Sequence, residues 1–115
     1  MRKKRDDCLF CKIEHNEIPS EKVYQDDDIY VIRDIAPKAK VHLLVIPRQH
    51  IVNLDDLLPE DQMLLGKIML LLPKLAKDQG LHDGFRTIIN TGTGGGQEVF
   101  HMHIHLLGGT ALPFV

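Results

Sequence analysis

Apolar and polar positions along the chain change period several times, and each change marks an element. Residues 8–15 place Leu9, Ile13 and Phe10 along one side of a short helix, which Pro19 and Ser20 break. Lys22–Gln25 and Ile29–Arg33 read as strands joined by the turn-prone triplet Asp26-Asp27-Asp28. Val41–Ile46 is a third strand, stopped by Pro47. Pro59-Glu60-Asp61 then opens one long helix, with proline in its first turn and acids against the positive end of its dipole. Its apolar stripe runs from Met63 to Ala76, Gly80 supplies the C-terminal cap, and Pro73 predicts a kink. The stripe widens at Ile68–Leu72, which fits either a thick core or a subunit interface. Gly84–Asn90 is a fourth strand. The fifth, His101–Leu107, alternates histidine with apolar residues, so Met102, Ile104 and Leu106 face a core and three imidazoles share the opposite face. The sum is an α+β chain of five strands, one long helix and one short N-terminal helix.

Size and charge narrow the classes. A chain of 115 residues, 43% hydrophobic and 26% charged, predicts a single globular domain over residues 8–115 behind a flexible tail at 1–7. A net charge of −2 gives no electrostatic footprint for nucleic acid, and no apolar run nears the ~18 residues of a membrane span. Met1-Arg2-Lys3-Lys4-Arg5 leads into Asp6-Asp7 rather than an apolar stretch, so no secretory signal is read and a cytoplasmic location is expected.

The histidine row suits two chemistries. Rings at i and i+2 on a strand can share a metal ion, but the end Cα atoms lie roughly 13 Å apart, too far for one ion to hold all three. The alternative is nucleophilic attack on phosphorus, in which a neutral imidazole offers one lone pair and orients itself through its other N–H. Just upstream, Thr91-Gly92-Thr93-Gly94-Gly95-Gly96-Gln97 is a turn whose glycines let backbone N–H groups approach an anion. Cys8 and Cys11, the two cysteines, form a C-x-x-C that supplies half of a tetrahedral zinc shell, with histidines as candidates for the rest. A reduced dithiol is the alternative. The Asp26–Asp28 triplet lacks further carboxylates at calcium-loop spacing and reads as a solvated turn. Asp34, before Ala36-Pro37, is equally a turn initiator or a carboxylate able to accept from a diol.

His101-Met102-His103-Ile104-His105-Leu106-Leu107 matches the histidine triad pattern His-φ-His-φ-His-φ-φ, with φ apolar. With Gly95-Gly96-Gln97-Glu98-Val99-Phe100, Gly108-Gly109, Asp34-Ile35-Ala36-Pro37 and His42–Pro47, the chain from about Cys8 onward resembles the Hint branch of the histidine triad (HIT) superfamily. The resemblance implies a HIT-like α+β fold with a mostly antiparallel five-stranded sheet, and a homodimer in which two sheets join. It implies hydrolysis of purine nucleoside 5′-phosphoramidates, such as AMP conjugates, at the α-phosphorus, with His103 as nucleophile and His105 and His42 beside it. Asp34 would take the ribose hydroxyls, and Leu9, Phe10, Ile13, Ile32 and Ile35 would wall the base cleft. Asn90 and the loop residues Gly96, Gln97 and Glu98 would face the nucleotide's phosphate side. Structural zinc would sit on Cys8, Cys11, His50 and His101, and no organic cofactor is implied. Glu98 departs from the serine that many relatives carry there, which bears on the leaving group. Two other functions remain open: a dinucleoside polyphosphate hydrolase, or a nucleotide-sensing or protein-interaction module with vestigial activity.

Overall fold

The computed structural model describes residues 4–113; the first part of the expected N-terminal tail and the last two residues lie outside the described residues. The elements follow the order α1 (Leu9–Glu14), β1 (Lys22–Gln25), β2 (Ile29–Arg33), β3 (Val41–Pro47), α2 (Gln62–Asp78), β4 (Arg86–Ile88) and β5 (Ile104–Gly108), with three short 3-10 turns between them. The strands make one antiparallel sheet in the order β1-β2-β3-β5-β4. The expected α+β architecture is the one observed.

Alternation along the strands sends side chains to two different layers. Ile29 and Val31 of β2, Leu43 and Val45 of β3, and Ile104 and Leu106 of β5 pack with Ile68, Leu71, Leu72, Leu75 and Ala76 of α2. Fully burying each such aliphatic side chain contributes about 1.5–3 kcal/mol. On the other face Tyr30, Ile32, Leu44 and Ile46 meet Phe10, Cys11 and Ile13 of α1. With only six residues, α1 covers part of that face. His42, His103 and His105 stand on the remainder.

Several boundaries differ from those read in the sequence. α1 ends at Glu14, before the proline, and Asn16 just beyond its cap adopts a left-handed φ of 61°. Leu9 points outward, 43% exposed, while Phe10 and Ile13 form the inward face. The segment Pro59–Asp61 is a 3-10 turn rather than the first α-helical turn, with the Leu58 N–H donating to Asp61 Oδ2 at 2.8 Å. α2 continues through Pro73, which removes one intrahelical donor on an exposed stretch. Gly80, at φ 80°, ends it as expected: Leu81 N–H donates to Ala76 O and Gly80 N–H to Lys77 O, at 2.9 and 3.0 Å. β3 carries Pro47 inside its ladder, paired with Ile29. β4 spans only Arg86–Ile88.

The histidine row is the most informative departure. Only Ile104–Gly108 is laddered; His101–His103 is an extended lead-in, fixed by the Met102 N–H donating to Ile51 O at 2.6 Å. The alternation nevertheless holds, with Met102, Ile104 and Leu106 at most 1% exposed.

Candidate active site and metal centre

The three rings of the row share a face but not a depth. His101 is fully buried, whereas His103 and His105 are half-buried. His101 Nε2–H donates to Pro47 O at 2.7 Å, so its Nδ1 lone pair turns toward the cysteines. There Cys8 Sγ lies 3.4 Å and Cys11 Sγ 3.6 Å from His101 Nδ1, and Cys11 Sγ lies 3.3 Å from His50 Nδ1. All four donor atoms fall within 4.8 Å of one another. A tetrahedral zinc shell with metal–sulfur bonds of about 2.3 Å and metal–nitrogen bonds of about 2.05 Å has sulfur-to-nitrogen edges of about 3.5 Å. The donor set fits zinc in both chemistry and spacing. The His101–Pro47 bond is the outer-shell contact that a metal-binding imidazole requires. Burial, with Cys8 beside it, pushes the Cys11 thiol up to about 11, and burial, with His50 and His103 nearby, pushes His101 down to about 4; a coordinated cation reverses the first and is favoured by the second.

His103 and His105 are set in opposite tautomers by the main chain. His103 Nδ1–H donates to His101 O at 2.8 Å, leaving Nε2 as the nitrogen with a free lone pair. His105 is governed by a relay from β3. The Lys38 N–H donates to His42 Nδ1 at 3.0 Å, so the His42 proton resides on Nε2 and is given to His105 Nδ1 at 2.9 Å. His105 must then carry its own proton on Nε2. One ring presents a lone pair and its neighbour, 5.0 Å away between centroids, presents a proton donor. His42 and His105 are diagonal partners in the ladder, since His42 opposes Leu107 and His105 opposes Leu44.

Burial lowers the pKa of His42 and His103, and it pushes His105 down to about 4 with help from His103 and His42. These rings are therefore neutral at neutral pH. Asp34 Oδ2 lies 3.4 Å from His42 Nε2, and its Oδ1 accepts from the Ala36 N–H at 2.8 Å. Asp34, His42 and His105 are also close enough to be considered for a cation. The Lys38 N–H argues against that use, because it keeps the His42 proton on the nitrogen that would have to ligate.

The remaining expected site residues divide by position. Phe10 reaches His103 edge-on at 5.0 Å, and Ile13 and Ile32 are buried beneath α1. Ile35 is fully exposed and Leu9 largely so, both outside the packed layer. The glycine loop closes on itself. Gly95 and Gln97 N–H groups both donate to Gly92 O, and Gly96 N–H donates to Thr93 O, so three of the amides expected to cradle an anion are consumed within the turn. Gly96, at φ 83°, closes that turn in a conformation suited to glycine. Asn90 Nδ2–H donates to Gly95 O at 2.8 Å. Gln97 is 5% exposed, and its amide bonds Val52 O, Val99 O, Asn53 Nδ2–H and Gly92 N–H, which uses its full hydrogen-bonding capacity. Asn90 and Gln97 thus brace the loop, and Glu98, exposed, follows the closed turn. The sequence reading missed Tyr30, whose hydroxyl donates to Phe10 O at 2.7 Å, and Asn53; a tyrosine in an apolar strand and an asparagine in a loop gave no signal.

Comparison with known proteins agrees with this geometry. The profile of the family described as scavenger mRNA decapping enzyme C-term binding matches residues 7–112. Protein HitA of Neisseria gonorrhoeae is 55% identical over 103 residues, covering 90% of this chain and 96% of that protein. The purine nucleoside phosphoramidase of Escherichia coli strain K12 is 44% identical over 108 residues, covering 93% and 91%. Among solved structures, a histidine triad protein from Clostridium difficile superposes with a TM-score of 0.92 at 43% identity, covering 98% of this chain and 99% of that one. A Zn-bound histidine triad family protein from Mycobacterium smegmatis has a TM-score of 0.75 at 36% identity, covering 88% and 73%. With the His-φ-His-φ-His row placed beside a relay histidine on the same five-stranded sheet, the chain belongs to the histidine triad superfamily.

Proposed function

We propose that the protein is a nucleotide hydrolase that cleaves purine nucleoside 5′-phosphoramidates, or related nucleotidyl conjugates, at the α-phosphorus. The observation that carries this reading is the pair of opposite tautomers at His103 and His105. His103 Nε2 attacks phosphorus; its Nδ1–H, already bonded to the His101 carbonyl, stabilises the ring as it acquires positive charge. The P–N bond breaks as His105 Nε2–H gives its proton to the departing amine, while His42 Nε2–H holds His105 Nδ1; the water of the second step returns a proton to His105 Nε2. Water then cleaves the nucleotidyl-imidazole, releasing the nucleoside monophosphate. Asp34 is placed to accept from the ribose hydroxyls. The Glu98 N–H, the next amide beyond the closed turn, is the backbone donor we assign to a non-bridging oxygen. The relative named purine nucleoside phosphoramidase supports the substrate class.

Zinc on Cys8, Cys11, His50 and His101 fits this reading as a structural ion that ties α1 to the start of the histidine row. Its support is the donor spacing and the Zn-bound relative. A homodimer joined at the free edge of β4 is the assembly we assign. Among the described residues no helix is long and apolar enough to cross a membrane.

Turnover of adenosine 5′-phosphoramidate set against diadenosine tetraphosphate tests the substrate class. The phosphoramidate should be favoured in kcat/KM by at least about tenfold, a difference of about 1.4 kcal/mol in transition-state stabilisation. Preference for the dinucleotide would move the protein to the polyphosphate-hydrolase class, and tight nucleotide binding without turnover of either would mark a sensing module.

The pH profile is a second check. His103 must be neutral to attack, and burial lowers its pKa in the folded protein, as it does those of His105 and His42. The neutral forms therefore persist below the ordinary imidazole pKa of about 6.5, and activity is lost only as pH falls through the depressed values. The acid limb of kcat/KM should have its midpoint below the ordinary imidazole value of about 6.5. A midpoint at or above 6.5 would contradict attack by a buried, neutral His103.

A further inference from the structure

One side chain joins the cysteine helix to the reactive ring. Phe10 lies between Cys8 and Cys11, and its ring meets two histidines edge-on: His101 at 5.9 Å and 83°, and His103 at 5.0 Å and 77°. Edge-to-face pairs at such separations are favourable and directional. His103 is flanked on its other side by the His105 ring. Phe10 is itself held: it is 4% exposed, and its carbonyl accepts the hydroxyl of the fully buried Tyr30. The second restraint on His103, the bond from its Nδ1–H to the His101 carbonyl, also begins at a residue of the metal-binding set. One restraint therefore comes from a donor residue, His101, and the other from the helical turn that carries Cys8 and Cys11.

We propose that Phe10 is a positioning residue that transmits the state of the Cys8–Cys11–His50–His101 centre to His103. When the donors are drawn around a cation, α1 and the lead-in to β5 are held together. The Phe10 ring and the His101 carbonyl then clamp His103 with Nδ1 protonated and Nε2 directed to the substrate. When the donors separate, α1 is released at its N-terminal end, where Cys8 caps it, and the clamp opens. This inference rests on His103 as the nucleophile, yet the ring's state can be read without any turnover. It also distinguishes a clamp from a wall of the base cleft. Loss of a wall weakens substrate binding and raises KM, whereas a misdirected nucleophile lowers kcat.

The experiment compares the full chain with Phe10→Leu and Phe10→Tyr, each zinc-loaded and each after chelation. Ring nitrogen NMR of His103 and kcat and KM for adenosine 5′-phosphoramidate are the readouts, and circular dichroism verifies folding. In the zinc-loaded wild type His103 should show a single tautomer; chelation should mix or broaden it and lower kcat about ten- to a hundredfold, the scale of a misplacement near 1 Å. Zinc-loaded Phe10→Leu should show the same mixed spectrum and kcat loss with KM within about twofold, and Phe10→Tyr, which keeps the aromatic edge, should restore both. A wild-type His103 spectrum in zinc-loaded Phe10→Leu, or a rise in KM with kcat unchanged, would overturn the proposal. If chelation unfolds the chain, the zinc-loaded variants decide alone. If the wild type turns nothing over, the hydrolase reading fails and the tautomer spectrum still decides the clamp.

Discussion

Substituting His103→Ala should reduce turnover of adenosine 5′-phosphoramidate by about a thousandfold or more in kcat while leaving the protein folded. The magnitude follows from what is deleted. His103 Nε2 is the lone pair that we assign to attack phosphorus, and its tautomer is fixed by a main-chain carbonyl, so no neighbouring ring inherits the role. His105 cannot substitute, because His42 supplies a proton to its Nδ1 and leaves its outward nitrogen protonated. The residual rate would be that of a site that binds and polarises a phosphate without attacking it. Folding should survive because His103 is half-buried on the thinly covered face and contributes nothing to the layer under α2. Intermediate trapping gives a direct reading: brief mixing with substrate should leave nucleotide attached to the wild-type protein and none attached to the alanine variant. Retention of a tenth or more of wild-type turnover would remove His103 from the nucleophile's role.

Loss of the metal centre should lower the stability of the fold substantially. Purified without chelators, the protein should carry about one equivalent of zinc, as expected of tight structural sites. Cys8→Ser with Cys11→Ser should abolish that content. The two thiolates and two imidazoles are buried or nearly so, and removing half the set strands the other half. Stranded buried polar groups cost about 1–3 kcal/mol each. A total near 3 kcal/mol corresponds to a melting temperature lower by about 10 °C for a domain of this size. Metal content below about a tenth of an equivalent in the wild-type protein, where tight structural binding is expected, would eliminate the centre. A double-serine variant that melts at the wild-type temperature would show that any zinc present contributes nothing to stability.

Much of the site was legible because strand periodicity and ligand spacing are local. The alternation through Met102, Ile104 and Leu106 placed the imidazoles on one face before any ladder was known, and Gly80 marked the end of α2. What escaped depends on groups that a sequence writes identically at every position. The Lys38 N–H and the His101 and Pro47 carbonyls decide which nitrogen of each ring is protonated, and backbone amides carry no compositional mark. Gln97 misled for a related reason. The resemblance places it at the phosphate side, but its side-chain amide is buried and consumed by Val52, Asn53, Gly92 and Val99, two of them far away in the chain. The glycine run likewise promised open amides, while the turn it permits folds them onto Gly92 and Thr93. Leu9 was placed inward because a six-residue helix is too short for its periodicity to settle which face is covered.

The pleat of β5 separates packing from chemistry along one strand. Adjacent positions of β5 alternate between foundation and workshop: Ile104 and Leu106 belong to the layer under α2, and His105 to the reactive face. A library that randomises only the workshop positions around His42 and His105, together with exposed Leu9 and Ile35, leaves every anchoring contact of α2 in place. The chain is therefore a scaffold in which residues around the proposed nucleotide cleft can be varied while the α2 layer keeps its packing.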